Sequence, residues 1–73
     1  MTKKPAWADR VREILRQQGR YDWWLAQLLG MHPSQFSRTM NGDPQYPLQD
    51  AHRERLPLIL GVPAEMIFDP REG

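Results

Sequence analysis

Two histidines, His32 and His52, are the side chains best suited to acid–base or metal chemistry in this 73-residue chain. They fall on different predicted helices, and no HxxxH spacing of the kind found in helical metal sites links them. Asp50 lies two positions before His52, so these two side chains do not face each other on a helix. The chain has no cysteine, and therefore no thiolate ligand or disulfide framework. The residue types argue against an enzyme and predict no metal and no cofactor.

Length and charge indicate one small globular domain with an uneven surface. The composition, 40% apolar and 26% charged, is typical of globular chains of one domain. The net charge is only +1, but residues 1–42 carry seven basic and three acidic side chains, whereas residues 43–73 carry three basic and six acidic ones. This division suits a protein with one face toward a polyanion, although a merely solvated surface can show it as well.

Membrane association is not predicted. The longest apolar stretch, residues 56–64, contains two prolines and is far shorter than the roughly 20 residues that span a bilayer. No apolar segment follows the lysines near the N-terminus, so a signal peptide is not indicated either. We therefore expect a cytoplasmic protein.

Apolar residues at helical spacing, separated by Gly and Pro, predict an all-α fold. The five expected helices cover about residues 5–18, 21–29, 33–40, 48–60 and 63–68. His32 is expected to cap the third helix, and Pro57 to kink or divide the fourth. A basic arm of residues 1–5 would precede a domain of residues 6–69, and residues 70–73 would form a tail.

Residues 22–42, DWWLAQLLGMHPSQFSRTMNG, have the spacing of two helices that cross steeply through a short turn. Ala26 is small where the second of these helices must approach closely. Gly30, four positions on, can adopt the positive φ of the turn. Met31 and Phe36 supply apolar groups beneath it. The segment is therefore predicted to be a helix-turn-helix.

Over about residues 6–69, the chain resembles the lambda repressor and Cro-like family of helix-turn-helix regulators, also called the XRE family. The family pattern has Leu-Ala, Leu-Gly-Val, Ser-Arg and Asn-Gly, then a later Leu-Gly-Val block. The corresponding residues here are Leu25, Ala26, Leu29, Gly30, Met31, Ser37, Arg38, Asn41 and Gly42, then Leu60, Gly61, Val62, Pro63, Met66, Ile67 and Phe68. The resemblance implies a compact five-helix domain. It also implies a sequence-specific regulator of transcription that binds double-stranded DNA, a phage or bacterial Cro-like repressor on a two-fold operator.

The resemblance further implies that the third helix lies in the DNA major groove, with its first residues toward base edges. Gln can bond adenine and Arg can bond guanine through two hydrogen bonds, which makes Gln35 and Arg38 the foremost candidates. Ser34 and Thr39 complete the expected base-readout set. The alternative is that these side chains form a solvated helix face.

Ser37 and Asn41 are implied by the family pattern as phosphate contacts, which fix the position of the helix without reading sequence. Asn41 has a second possible role as a left-handed turn residue. The other expected phosphate contacts are Arg20, Trp23, Lys3 and Lys4, although the two lysines could equally belong to an unstructured tail. The family commonly has Gln at the start of the second helix. This chain has Asp22 there, whose carboxylate would repel a phosphate and is expected instead as a cap or first-turn acid of its own helix.

Trp23 and Trp24 stand where charged side chains are usual in the family. At least one indole should be exposed, because Leu25 and Ala26 already fill the core positions of this turn. Three interpretations stay open: an indole N–H that donates to a phosphate, an apolar patch for a protein partner, or an indole folded back on the first helix.

A single reading helix contacts few base pairs, so the resemblance implies a homodimer with two such helices one turn of DNA apart. Met66, Ile67 and Phe68 are the expected dimer interface, unless they pack internally. A competing function is a protein-interaction module of the same fold, an antitoxin or antirepressor with a protein partner, and the low net charge favours this alternative.

Overall fold

The computed structural model describes residues 4–68, which are all-helical and contain no strand. Within this range the four α helices are α1 (Ala6–Gln18), α2 (Asp22–Leu29), α3 (Pro33–Met40) and α4 (Asp50–Leu60). A 3-10 turn, Ala64–Met66, follows. The predicted all-α class is confirmed, but the expected fifth helix is reduced to this single turn. Lys3 and the expected tail lie outside the described residues.

Local sequence accounts for the ends of the helices that frame the connection between α2 and α3. Gly30 ends α2 with φ +75°, a left-handed conformation that costs glycine little. His32 then caps α3, as predicted: its Nδ1 accepts a hydrogen bond from the main-chain N–H of Ser34 at 3.2 Å. Pro33 occupies the first turn, where a missing N–H costs nothing. Three residues therefore suffice to join the two helices.

One apolar core lies where the four helices meet. Phe36 is the largest fully buried side chain, and Ala26 is buried at the α2 position where a small residue was predicted. α2 packs against both α3 and α4. The buried apolar residues are Ala8, Val11, Ile14, Leu15, Leu25, Ala26, Leu29, Met31, Phe36, Met40, Leu56, Leu60 and Ile67. They come from every helix, so no helix pair forms an independent unit.

Pro57 does not divide α4, which excludes one of the two effects expected of it. The helix begins at Asp50, two residues later than expected, and continues through Pro57 to Leu60. Leu56 and Leu60, on either side of the proline, are both buried and hold the two parts of the helix on the core. The main-chain N–H groups of Gly61 and Val62 both donate to the carbonyl of Pro57 and close the helix end.

Long polar side chains join distant helix ends. The Gln18 side chain donates to the main-chain carbonyl of Leu60 at 2.8 Å, and the Arg55 guanidinium donates to that of Leu28 at 2.9 Å. Arg10 donates to the carbonyl of Ile67 at 3.2 Å. Carbonyls at a helix end have no partner within the helix, so these donors satisfy groups that would otherwise depend on water. Across residues 4–68, no helix has the length and apolar character needed to cross a bilayer.

Candidate nucleic-acid interface

The two faces of α3 divide its side chains cleanly. Phe36 and Met40 are buried, four residues apart on the face that meets α2 and the core. Four polar residues lie on the opposite, exposed face: Ser34, Gln35, Ser37 and Arg38. This face carries hydrogen-bond donors and acceptors, and all four of its residues are exposed. The structure therefore brings together three of the four predicted base-readout residues, with the predicted phosphate contact Ser37 between them.

Thr39 departs from the expected readout set. Its side chain is 3% exposed, and its Oγ1 donates to the main-chain carbonyl of Gln35 at 3.1 Å. It lies three positions after the buried Phe36 on the inner side of the helix, because residues three and four apart share a helix face. The Thr39 hydroxyl is therefore committed to the helix backbone, and the side chain does not fit the readout role.

Arg38 contacts an aromatic residue from the loop that follows α3. Its Nη1 donates to Oη of Tyr46 at 3.4 Å, and its Cζ lies 5.3 Å from the centroid of the tyrosine ring. The guanidinium is exposed, whereas Tyr46 is half-buried. Sequence analysis did not identify Tyr46, because the two residues meet only through the path of the intervening loop.

Asn41 lies at the other end of the polar face and contacts α1. Its Oδ1 accepts a hydrogen bond from the Arg12 guanidinium at 3.4 Å. Its φ is −84°, so it is not left-handed, and the turn places the positive φ on Gly42 instead. The alternative role predicted for Asn41 is therefore wrong. Arg12 was not among the predicted residues, although its position close to Asn41 adds a positive charge to this end of α3.

A groove of about 650 Å³, open to solvent, runs between the end of α1 and the starts of α2 and α3. Arg12 and Arg16 line it from α1, and their spacing of four residues was a visible signal for a shared helix face, whereas Arg20 lines it from the connection between α1 and α2. Its other lining residues are Leu15, Gly19, Tyr21, Asp22, Trp23 and Pro33. The groove thus combines three guanidinium groups with two exposed aromatic side chains and one carboxylate.

The three arginines are not equally available. Arg16 Nη2 donates to both carboxylate oxygens of Glu13, at 2.8 and 2.7 Å, and this hydrogen bonding and the carboxylate charge raise the pKa of Arg16 above its usual value. The Arg20 guanidinium stacks 4.1 Å from the ring centroid of Trp24. Arg20 is exposed and has no carboxylate partner among its described contacts, which makes it the best-placed cation of the groove.

Trp23 and Trp24 differ in their exposure to solvent. Trp24 is half-buried and packs against the core, whereas Trp23 is 56% exposed and lines the groove. The prediction that at least one indole is exposed is confirmed. The N-cap of α2 is Tyr21 and not Asp22, which stands instead in the first turn of the helix, the second of the two local roles expected for it.

The expected dimer residues have three different environments. Ile67 is completely buried in the core of its own chain, so its predicted place in an interface between copies is wrong. Phe68 is half-buried, with its ring 6.2 Å from that of Trp7 and the Arg53 guanidinium 4.7 Å above it. Met66 is 51% exposed and is the one of the three that presents an apolar side chain to solvent.

Comparison with known proteins adds no assignment. No protein-family model matches the chain, and no curated protein shows significant similarity to it. Among residues 4–68 there is no group of three or more His, Cys, Asp or Glu side chains placed to hold a metal ion. The polar face of α3, the Arg12–Asn41 pair and the neighbouring groove are therefore the features from which a function is inferred.

Proposed function

We propose that the protein is a helix-turn-helix regulator of the lambda repressor and Cro-like class, which reads double-stranded DNA with the exposed face of α3. The observation that carries this proposal is the division of α3. Its inner face is anchored to α2 through Phe36 and a three-residue connection, and its outer face presents Gln35 and Arg38. A rigid helix with an uncovered polar face is what insertion into a major groove requires.

In this mechanism Gln35 and Arg38 recognise base edges, and Ser34, in the first turn, supplies a further hydroxyl. Gln and Arg can each form two hydrogen bonds with one base, to adenine and guanine respectively. The contribution of each pair to discrimination is about 1–3 kcal/mol. Two hydrogen bonds to one base require a side chain that is held in place. The helix backbone fixes the Cα atoms from which Gln35 and Arg38 extend.

Phosphate contacts come from the two edges of the polar face. Ser37 and Asn41 lie along the helix, while Arg20 and Trp23 lie in the groove beside its first residue, Pro33. Lysines of the N-terminal arm would add sequence-independent attraction. In this proposal the excess of basic side chains in residues 1–42 supplies the attraction to a polyanion, although the net charge of the chain is only +1.

A homodimer would give the protein enough contacts for an operator. The described chain measures 30 × 29 × 21 Å, so two copies side by side would place their α3 helices on the order of one DNA turn apart, about 34–36 Å. Met66 and Leu58, which is 80% exposed, are two of the apolar side chains that such pairing could bury. A DNA target would also place the protein in the bacterial cytoplasm.

The test is selection of duplexes from a random pool by the wild-type protein at about 150 mM salt, which limits non-specific binding. Enrichment of a two-fold motif supports the proposal. The double variant Gln35→Ala, Arg38→Ala should then lose at least about tenfold in affinity for that motif. The double variant Gln17→Ala, Arg53→Ala removes the same residue types from α1 and α4 and should bind as the wild type does. Failure of the folded wild-type protein to enrich any motif would overturn the proposal.

A protein-interaction module is the second candidate function, and the exposed apolar residues favour it. Four large apolar side chains of this small domain are more than two-fifths exposed: Trp23, Leu28, Leu58 and Met66. An antitoxin or antirepressor would use such residues against its partner. Under this alternative the Gln35→Ala, Arg38→Ala variant retains binding to its protein partner, and Leu58→Ala weakens it.

A further inference from the structure

Tyr46 lies beside the guanidinium of Arg38 and makes two different contacts with it. Its Oη accepts a hydrogen bond from Arg38 Nη1 at 3.4 Å. Its ring lies 5.3 Å from Arg38 Cζ, within the range in which an aromatic face attracts a cation. The hydrogen bond restrains the direction of the guanidinium, and the cation–aromatic contact restrains its distance from the ring.

The loop after α3 is built so that Tyr46 is fixed relative to that helix. The main-chain N–H of Asp43 donates to the carbonyl of Arg38 at 3.1 Å, which ties the loop to the last turn of α3. The Asp43 side chain then accepts from the N–H of Gln45 at 2.9 Å, and its carbonyl accepts from the N–H of Tyr46 at 3.0 Å. A turn with both main-chain and side-chain hydrogen bonds has little freedom. The position of Tyr46 is therefore set by the same helix that carries Arg38.

The contact leaves Arg38 able to bind a base. A guanidinium has five N–H donors, and the Tyr46 hydroxyl takes one of them. The remaining donors include the second hydrogen of Nη1, both hydrogens of Nη2 and the Nε hydrogen, so two parallel bonds to guanine stay possible. Arg is otherwise a long side chain with many rotamers, and a restraint applied before DNA arrives reduces the freedom lost on binding.

We propose that Tyr46 is a positioning residue for base readout, one that holds the Arg38 guanidinium in the direction from which it contacts its base pair. This inference rests on the proposed DNA-binding function. It assigns to the loop after α3 a part in sequence discrimination, although Tyr46 itself need not touch a base. The contribution is separable from ordinary affinity, because it acts only through Arg38.

The experiment is a double-mutant cycle on the operator selected by the wild-type protein. Two duplexes are compared: the operator, and the operator changed at the base pair whose discrimination is lost in Arg38→Ala. Tyr46→Ala should reduce discrimination between them by about 2- to 5-fold, the range of an exposed cation–aromatic contact. Tyr46→Phe, which keeps the ring and removes the hydroxyl, should show a smaller loss. In the Arg38→Ala background neither substitution should change discrimination further.

The controls separate positioning from other roles. Gln45→Ala alters the adjacent side chain and leaves the main-chain hydrogen bonds of the turn in place, so it should discriminate as the wild type does. Tyr46→Phe guards against disruption of the loop by Tyr46→Ala, and thermal unfolding of each variant reports on the fold. A loss of affinity that is equal for both duplexes and persists without Arg38 would overturn the inference and indicate a direct phosphate contact. Unchanged or increased discrimination in both Tyr46 variants would also overturn it.

The two levels of the proposal fail differently. If the wild-type protein selects no operator, the DNA-binding function and the role of Tyr46 fall together. If an operator is found and Arg38→Ala relaxes its recognition, the function stands, and the Tyr46 variants alone decide the inference. If Arg38→Ala leaves discrimination intact at every base pair, then DNA binding survives and the positioning role does not.

Discussion

The Arg12 guanidinium donates to Oδ1 of Asn41 at 3.4 Å, which joins α1 to the end of α3 across 29 positions of the sequence. A guanidinium only donates, so it is the amide oxygen of Asn41 that faces Arg12. Nδ2 of Asn41 is left with its donors for another acceptor. The pair places an amide donor and a positive charge at the same edge of the polar face.

Asn41→Asp should weaken DNA binding without unfolding the protein. The new carboxylate can still accept from Arg12, so the free energy of unfolding should change by less than about 0.5 kcal/mol. The donor for a phosphate is lost and a repulsive charge replaces it, so affinity should fall about tenfold or more for all operator variants alike. Titration of labelled duplexes measures this. Gln17→Glu makes the same chemical change on α1, and an equal loss in both variants would mean that only net charge matters.

Arg20 and Asp22 line the same groove and should have opposite effects on DNA affinity. Arg20→Gln removes a cation that the proposal places against the phosphate backbone, so it should reduce the slope of log affinity against log salt by about 1. Asp22→Asn removes a repulsive charge and should raise affinity by about fivefold, equivalent to ~1 kcal/mol between charges at short range in water. Glu54→Gln, an equal charge change on α4, is the control. If the Asp22→Asn and Glu54→Gln variants bind DNA with equal affinity, the proposed placement of a phosphate in this groove is wrong.

Ile67 and Met66, although adjacent, should respond to truncation in different measurements. Ile67→Ala removes buried atoms and should lower the free energy of unfolding by about 2–5 kcal/mol in a denaturant titration. Met66→Ala, at an exposed site, should change it by less than about 0.5 kcal/mol. Met66→Ala should instead weaken self-association in sedimentation equilibrium, alone or with operator DNA. Unaltered association would exclude Met66 from a dimer interface.

Pro57→Ala should stabilise α4. Proline in a helix interior costs about 3 kcal/mol because it removes a main-chain hydrogen bond, here to the carbonyl of Arg53, and crowds the preceding turn. The variant also loses the contacts of the half-buried Pro57 ring, which offsets part of this gain. We therefore expect the free energy of unfolding to rise by about 1 kcal/mol. For a domain of this size, that corresponds to a rise of about 4–8 °C in Tm. Glu54→Ala, at an exposed position of the same helix, should leave Tm nearly unchanged, and a lower Tm for Pro57→Ala would show that ring packing dominates.

The parts of the site that depend on helix periodicity were predictable, and the parts that depend on loop paths were not. The helical spacing of Phe36 and Met40 is enough to place Gln35 and Arg38 on the outer face of α3. The neighbours of those residues were not accessible in this way. Tyr46 reaches Arg38 only because a hydrogen-bonded turn reverses the chain at Asp43, and Arg12 reaches Asn41 only because α1 crosses near the end of α3.

Sequence alone determined the features that arise within a few residues of backbone. Gly19, Gly30 and Gly61 end their helices, and His32 with Pro33 starts α3, because φ preferences and capping hydrogen bonds act locally. Tertiary structure decided which apolar residues face inward, since Ile67 is buried and Met66 exposed within one turn. It also decided that α4 runs through Pro57, because burial of Leu56 and Leu60 outweighs the local penalty of the proline. Helix packing, which depends on the whole core, determined the contacts between residues as distant as Gln18 and Leu60.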